Sequence, residues 1–265
     1  MARVVAISNQ KGGVGKTTTT INLAAALAAR GQRVLVVDLD PQGNATSGLG
    51  YPRTEIGRGT YDLLLDLCDV ESVLLPTEHD GLHVLPANRD LVGAELDLID
   101  VDQRERRLRK ILGTIREQYD EILVDCPPSL GLLTINALVA SDGVLMPLQA
   151  EYYAMEGLGE LLRTIAAVRK SLNPDLQREG IVVTMTDARN NLCREVERQA
   201  RTLFGDGVFQ TVIPRNVRLG EAPSHGKPIV QYDPRSTGAK AYFSLADELL
   251  ARRSGPAARS WKEAV

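Results

Sequence analysis

A glycine-rich run that carries two lysines lies near the start of the chain, shortly after the apolar run Val4–Ile7. Its members are Lys11, Gly12, Gly13, Val14, Gly15, Lys16, Thr17 and Thr18. Glycines allow successive backbone N–H groups to point inward around an anion, and a helix beginning at about Lys16 adds its positive end. The order of strand, glycine-rich loop and helix therefore predicts a phosphate-binding P-loop.

The polar side chains of this loop have distinct predicted roles. Lys16 would reach the β- and γ-phosphates, Thr17 would ligate Mg²⁺ through its hydroxyl, and Thr18 would hydrogen-bond the α-phosphate. The strict pattern G-x-x-x-x-G-K-[ST] requires glycine at position 10, where this chain has Gln10 followed by the second lysine, Lys11. The departure indicates a variant P-loop, although a plain glycine turn and a solvated lysine are the simpler alternatives.

Two acidic residues follow the second apolar run of the chain, in the order Asp38, Leu39, Asp40. The carboxyl ends of parallel strands form the edge of the sheet where ligands bind in α/β proteins. One carboxylate of such a pair can hold hydrated Mg²⁺ while the other orients the attacking water. A structural role as caps of the strand end is the alternative.

A third acid, Asp125, ends the apolar run Ile122–Val124 and precedes Cys126, two prolines and Gly131. This is the Walker B arrangement, in which the carboxylate binds Mg²⁺ through a water. The prolines stiffen the exit from the strand, and Gly131 can absorb a switch movement. We expect Cys126 to be buried packing rather than a nucleophile, because no histidine or second cysteine lies near it in sequence.

Short β-branched runs alternate with segments of helical spacing along the chain, which predicts a doubly wound α/β fold, a mostly parallel sheet with helices on both faces. The predicted strands are Val4–Ile7, Val34–Val37, Leu82–Leu85, Ile122–Val124, Val144–Pro147, Ile181–Thr184 and Val208–Ile213. The predicted helices are Thr17–Arg30, Gln103–Gln118, Leu132–Ala140, Met155–Leu172, Leu192–Phe204 and Thr237–Arg252. Gly43–Gly59 is expected to be a loop beside the site.

The chain has 265 residues, 43% of them hydrophobic, and a net charge of -3. These values favour one domain over residues 1–253, with residues 254–265 as a flexible tail, and they do not by themselves point to a strongly charged partner. Three scattered cysteines favour neither a zinc site nor disulfides. With no leader pattern at Met1 and no long apolar run, we expect a cytoplasmic protein.

The whole set of motifs resembles the ParA/Soj family of partitioning ATPases. K-G-G-V-G-K-T looks like the deviant Walker A motif of the ParA, MinD and nitrogenase iron-protein group. The similarity continues through D-L-D-P-Q-G-N, D-C-P-P-S-L-G, E-Y-Y-A-M-E-G-L and P-R-N-V-R-L-G-E-A-P-S-H-G-K-P-I, so that it covers nearly the whole chain. The fold implied is that of a deviant P-loop NTPase.

The resemblance implies roles for individual residues. Lys11 would act in trans across a sandwich dimer, Asp40 would orient water, and Asp38 would lie closer to the metal shell. Pro214 and Asn216 would hold adenine, although an asparagine after a strand is often only a turn former. Two arginines, Arg189 in M-x-D-A-R-x-N-L and Arg218 in P-R-N-V-R-L, would contribute to sequence-independent DNA binding.

The resemblance also implies the cofactors and partners: ATP with Mg²⁺, a second copy of the chain, nonspecific double-stranded DNA on the nucleoid, and a ParB-type protein bound at centromere-like DNA. The partner would stimulate slow hydrolysis and release the DNA. The early P-loop leaves no room for the N-terminal helix-turn-helix domain of some plasmid ParA proteins. We therefore expect contacts to phosphates rather than bases.

Four alternatives stay open. A MinD-like ATPase cycles on a membrane, but this tail is interrupted by Gly255 and Pro256. A nitrogenase-type protein needs suitably placed cluster cysteines. A P-loop kinase or synthetase needs an acceptor pocket, and a nonenzymatic DNA scaffold would not need Lys16, Asp40 and Asp125.

Overall fold

The computed structural model describes residues 1–151 and 154–254, with strands and helices that alternate along the chain. The strands are β1 (Arg3–Ile7), β2 (Val34–Asp38), β3 (Leu75–Pro76), β4 (Leu82–Leu85), β5 (Glu121–Asp125), β6 (Gly143–Gln149) and β7 (Gln177–Thr184). The helices are α1 (Lys16–Ala28), α2 (Asn44–Gly48), α3 (Thr60–Leu64), α4 (Ala94–Asp97), α5 (Arg107–Ile115), α6 (Leu132–Ala140), α7 (Ala154–Ser171), α8 (Asn191–Phe204), α9 (Val217–Glu221), α10 (Ile229–Tyr232) and α11 (Thr237–Ser254).

These strands form one seven-stranded sheet in the order β3-β4-β2-β5-β1-β6-β7. All neighbouring pairs are parallel except β3 with β4. The central strands are buried on both faces, which explains why their sequences are continuously apolar. Because β1, β2 and β5 are adjacent and parallel, the segments that follow them meet at one edge of the sheet.

Helices cover both faces of the sheet. One face carries α1 and α11, whose buried residues include Leu23 and Leu245. The other face carries α5, α6, α7 and α8, with Leu108, Ala137 and Leu161 in its core. The predicted α/β class, with a mostly parallel sheet between two helical layers, is confirmed.

The predicted strand over Val208–Ile213 is wrong. The segment runs beside β7 but forms only isolated bridges, Ile181 with Val208 and Thr186 with Pro214. Its backbone N–H groups at Gln210 and Thr211 donate instead to the Glu248 carboxylate of α11, each at 2.8 Å. A side chain therefore takes the donors that a regular ladder would have used.

The predicted loop over Gly43–Gly59 was also incomplete, because it contains the helix α2, Asn44–Gly48. Gly43 adopts a left-handed conformation (φ 63°) just before this helix. At the other end of the chain, α11 runs to Ser254, one residue into the expected tail, and residues 255–265 lie outside the described residues.

Candidate nucleotide and magnesium site

The glycine-rich loop joins β1 to α1, as the sequence predicts, and α1 begins at Lys16. Gly13 and Gly15 have φ angles of +75° and +90°, which side chains rarely adopt. The Thr184 hydroxyl, at the end of β7, donates to the Val14 carbonyl at 2.8 Å and so ties the loop to this strand. The backbone is thus held in the curled form that a phosphate nest requires.

Lys16 lies under this loop and is only 7% exposed. Its ammonium donates to the carbonyl oxygen of Lys11 at 3.1 Å, so the side chain folds back along the loop. Burial lowers the pKa of Lys16, while the nearby charges of Asp125 and Asp40 oppose that shift. The ammonium is therefore held where a phosphate oxygen would be its strongest available partner.

Lys11 behaves differently from Lys16, because its side chain leaves the loop. Its Nζ lies 2.9 Å from Oε2 of Glu151, two residues beyond the end of β6, and both side chains are partly exposed. Its backbone N–H donates to Asn9 Oδ1 at 3.0 Å. A partly exposed pair of this kind contributes little stability, so Lys11 can exchange Glu151 for another anion at small cost.

Asp125 ends β5 and is fully buried directly beside the loop. Its two oxygens accept hydrogen bonds from Thr17 Oγ1 at 2.8 Å and from Thr20 Oγ1 at 2.9 Å. Burial and the neighbouring charge of Asp38 raise the pKa of Asp125 to about 8. The geometry places a hydroxyl and a carboxylate oxygen side by side.

Asp38 lies at the end of β2, paired in register with Asp125 on the adjacent strand. Its Oδ2 accepts both the N–H and the hydroxyl of Thr46, at 2.8 and 2.7 Å, and its Oδ1 accepts the N–H of Asp40 at 3.1 Å. Burial raises the pKa of Asp38 to about 6. Asp38 therefore fixes the turn that carries Asp40 and anchors α2; its role towards a metal stays a prediction.

Asp40 reaches the site from the turn between β2 and α2 and is 7% exposed. One of its oxygens, Oδ1, accepts the N–H of Gln42 at 2.9 Å. That contact fixes the carboxylate orientation and leaves the other oxygen free of any described hydrogen bond. A carboxylate held in this way can accept a hydrogen bond from a water molecule beside the phosphate site.

These residues fit Mg²⁺. The Thr17 hydroxyl beside Asp125 offers two of the hard oxygen ligands that Mg²⁺ prefers, and this ion usually takes the remainder from waters and nucleotide phosphates. A dedicated cage is not needed, and the described residues contain no cluster of three or more acidic, histidine or cysteine side chains that would form one. The buried carboxylates Asp38 and Asp125 also supply the negative charge that a cation would compensate.

The raised pKa of Asp125 leads to a prediction about stability. Between the ordinary carboxyl pKa and about 8, the folded protein holds a proton that the unfolded chain releases, so the free energy of unfolding should fall as pH rises through that window. Asp125→Asn should weaken this fall and gain on the order of 1 kcal/mol at pH 8. Urea unfolding in EDTA without nucleotide, between pH 6 and 8, measures it.

A matched control is Asp120→Asn. Asp120 is paired with Arg33 at the amino ends of β5 and β2, the opposite ends of these strands from the candidate site. This pairing holds the pKa of Asp120 at about 2. The control should therefore keep the wild-type pH dependence above pH 6. An Asp125→Asn protein whose stability falls as steeply as wild type would show that another group is responsible.

The predicted adenine contacts are placed less favourably. Asn216 caps α9 by accepting the N–H of Arg218 at 2.8 Å, and its Nδ2 donates to Thr237 at 2.7 Å, so both ends of the amide are engaged. Pro214 bridges Thr186 beyond β7. A cavity of about 400 Å³ opens beside Thr17 and Thr18, between α1, α2 and the segment 222–227. Pro214 and Asn216 do not line this cavity. Adenine recognition by Pro214 and Asn216 stays a prediction.

The two predicted DNA arginines lie on neighbouring segments, Arg189 in the loop after β7 and Arg218 in the first turn of α9. The bridge between Thr186 and Pro214, with the Arg215 N–H donating to Thr186 at 3.0 Å, holds the loops after β7 and before α9 side by side. Arg189 is 93% exposed and lies 3.4 Å from Asp187. Arg218 is 54% exposed and lies 2.8 Å from Glu221.

The other basic group of the sequence, between Arg104 and Lys110, is largely engaged within the protein. Arg107 and Lys110 both pair with Asp66, and Arg107 also donates to the Leu64 carbonyl. Arg104 pairs with Glu105. These acidic partners offset part of the positive charge of this segment.

Sequence reasoning missed several residues that organise the site. Thr20, Thr46, Thr184 and Glu151 contact Asp125, Asp38, the loop and Lys11, respectively. Thr20 had a usable signal, because it lies three residues after Thr17 and so shares its face of α1. The others are distant from their partners in sequence and carry no local pattern.

Comparison with known proteins gives the family. A family model described as an AAA domain matches residues 2–178. The sporulation initiation inhibitor protein Soj of Bacillus subtilis is 55% identical over 251 residues, which cover 95% of this chain and 99% of that protein. The chromosome-partitioning ATPase Soj of Thermus thermophilus is 56% identical over 250 residues, covering 94% and 96%.

The chain belongs to the ParA/Soj family of partitioning ATPases. It is an ATPase, and the predicted family is confirmed.

A solved structure of similar fold contains a nucleotide and magnesium. The cobyrinic acid a,c-diamide synthase of Mycobacterium smegmatis, bound to ADP and magnesium, is 38% identical, with a TM-score of 0.86 and 97% of each chain covered. This fold therefore binds nucleotide and Mg²⁺. Among residues 1–151 and 154–254, every helix is too short or too polar to cross a bilayer.

Proposed function

We propose that this ParA/Soj family member is a nucleotide switch that positions DNA. Mg²⁺ and ATP bind at the P-loop, two copies form a sandwich dimer, and the dimer binds double-stranded DNA without reading its sequence. A ParB-type partner stimulates hydrolysis, and the DNA is released. The observation that carries the proposal is the pair of lysines on one loop, Lys16 buried along its own phosphate nest and Lys11 held outside it only by Glu151.

The different positions of these lysines support the proposed dimerisation. The Lys16 ammonium lies along its own loop, whereas the Lys11 ammonium makes a surface ion pair that a more strongly charged partner can replace. The phosphates of a nucleotide in a second copy are such a partner. Extra positive charge there offsets both the repulsion between two nucleotides and the charge that develops during phosphoryl transfer.

Asp40 is the residue proposed to promote hydrolysis, and contacts with Asp38 and Gln42 hold it in place. Bound magnesium would neutralise charge on the transferring phosphoryl group, with Thr17 and Asp125 as its protein-side ligands. The Asp40 carboxylate orients water by accepting a hydrogen bond from it. A regulated switch needs its ATP-bound state to persist, so unstimulated turnover would be slow and a partner would speed it.

DNA binding is supported by the segments that carry Arg189 and Arg218, which the Thr186–Pro214 bridge holds side by side. Arg189 and Arg218 carry the contacts to phosphate. A single copy offers few cations, and joining two copies doubles the footprint and strengthens binding by avidity. The net charge of -3 means that the protein as a whole would not attract DNA. The attraction would come from the joined basic surfaces. The protein would then act in the cytoplasm on the nucleoid.

The test is binding to a random-sequence duplex with no nucleotide, with ADP, and with ATP plus Mg²⁺, over a series of salt concentrations. Tight, salt-sensitive binding is expected only with ATP and Mg²⁺. Arg189→Ala and Arg218→Ala should each weaken binding and lower the slope of log affinity against log salt by about 1 for each arginine–phosphate pair removed. Fluorescence anisotropy measures both quantities.

The matched control is Arg33→Ala, which removes the same charge at the start of β2, the opposite edge of the sheet from the P-loop. It should leave the salt slope unchanged. Binding that ignores nucleotide, or binding that never appears, would contradict the proposed switch and turn attention to a membrane or a protein partner.

A further inference from the structure

Acidic groups of the segment 218–233 contact the partly exposed side chain of Arg218. Glu221 lies one helical turn after Arg218 on α9, and its Oε2 accepts the Arg218 Nη1 at 2.8 Å. Asp233, directly after α10, lies on another side of the guanidinium, with Oδ2 3.6 Å from Nε. We call Glu221, Tyr232 and Asp233 the arginine cradle.

The arginine cradle is itself held in place. The Tyr232 hydroxyl donates to Oε2 of Glu221 at 3.2 Å, and the Tyr232 ring stacks on His225 with centroids 4.8 Å apart. Gly226, next to His225, lies against the backbone just after α2, since a Cβ on Gly226 would be only 2.8 Å from the Cα of Gly50. Glu221 is therefore oriented by Tyr232 rather than free to follow Arg218.

Arg189, the other arginine of the predicted footprint, has a single described ion pair, with Asp187. Arg189 is 93% exposed, and its contact with Asp187 is long, at 3.4 Å, while that same Asp187 oxygen also accepts the Arg189 backbone N–H at 2.9 Å. The pKa of Glu221 is held below its usual range, first by the hydrogen bond from Arg218. The two arginines thus meet a phosphate from different starting states.

We propose that Glu221 is a positioning residue that holds Arg218 in the arginine cradle and sets how readily this arginine can reach a DNA phosphate. The inference rests on the DNA-binding role proposed above and adds a regulating residue to it. A phosphate that takes Nη1 competes with the Glu221 carboxylate, and a phosphate that takes another nitrogen must still reach a guanidinium that Glu221 holds in place. The carboxylate therefore weakens binding by acting on Arg218, over and above its general repulsion of DNA.

A double-mutant cycle separates these two effects. Glu221→Gln should tighten binding of the ATP-bound protein to a random duplex by roughly two- to fivefold, the range of an exposed ion pair. In the Arg218→Ala background the same change should have almost no effect. Equal tightening in both backgrounds would show general repulsion only and would overturn the proposal. The charge-matched control, Asp120→Asn, should not tighten binding.

Arginine labelling tests the arginine cradle without DNA. Phenylglyoxal modification followed by mass spectrometry should show Arg218 protected relative to Arg189 in the wild type, and more reactive in Glu221→Gln. Unchanged reactivity of Arg218 would overturn the cradle. If the wild type never binds DNA but Arg218 is still released in Glu221→Gln, the proposed function fails while the cradle stands.

Discussion

Replacing Asp40 with alanine should reduce ATP hydrolysis by on the order of a hundredfold or more while ATP still binds, because the carboxylate that orients water is lost and the phosphate nest is not. Asp40 is carried by the turn after β2 and not by the loop that holds Lys16, and it is fixed by Asp38 and Gln42. Phosphate release over long incubations measures the rate, and retention of labelled ATP measures binding. The variant should also accumulate as an ATP-bound dimer.

Asp40→Asn is the informative companion to Asp40→Ala. The asparagine keeps an oxygen that can accept the Gln42 N–H, so it preserves the turn while removing the charge. If the charge is what orients water, both variants lose hydrolysis. Hydrolysis by the alanine variant at the wild-type rate would remove Asp40 from the reaction, and activity of the asparagine variant alone would reduce its role to holding the turn.

Replacing Lys16 with alanine should weaken ATP binding by on the order of a hundredfold, because a buried ammonium that faces phosphate has no substitute nearby. The exposed fraction of Lys16 is 7%, and its only described hydrogen bond is to the Lys11 carbonyl. Equilibrium binding of a fluorescent ATP analogue in the presence of Mg²⁺ measures the loss.

Lys11→Ala is the matched control on the same loop, since it removes the same charge five positions earlier. Its side chain points to Glu151 and not along its own nest. It should keep nucleotide affinity near the wild-type value and lose ATP-dependent dimers in light scattering. A Lys11→Ala protein that binds ATP as poorly as Lys16→Ala would place both lysines on the same phosphates.

Local sequence patterns are enough to single out the candidate residues that the fold brings together. Lys16, Thr17 and Asp125 lie directly after apolar runs or within the glycine loop, so local patterns reveal them, and parallel pairing brings the ends of β1, β2 and β5 together. The partners of these residues are harder to find. Glu151 lies 140 residues from Lys11, and only the folded chain brings them into contact.

The error over Val208–Ile213 has a similar origin. The residues have the β-branched composition of a strand, but composition does not show what accepts their N–H groups. Glu248, 38 residues beyond Gln210, takes two of those donors. Long-range side-chain contacts decide such cases, and a single sequence does not display them.

Both outer edges of the sheet are blunted, and this affects how copies of the chain can associate. At one edge β3 has only two residues, one of them Pro76, which lacks an N–H group. At the other edge, the segment Val208–Ile213 runs beside β7 with donors capped by Glu248. Fibre growth by strand addition is therefore disfavoured, and copies of the chain that associate at high local concentration must do so through surfaces other than the sheet edges.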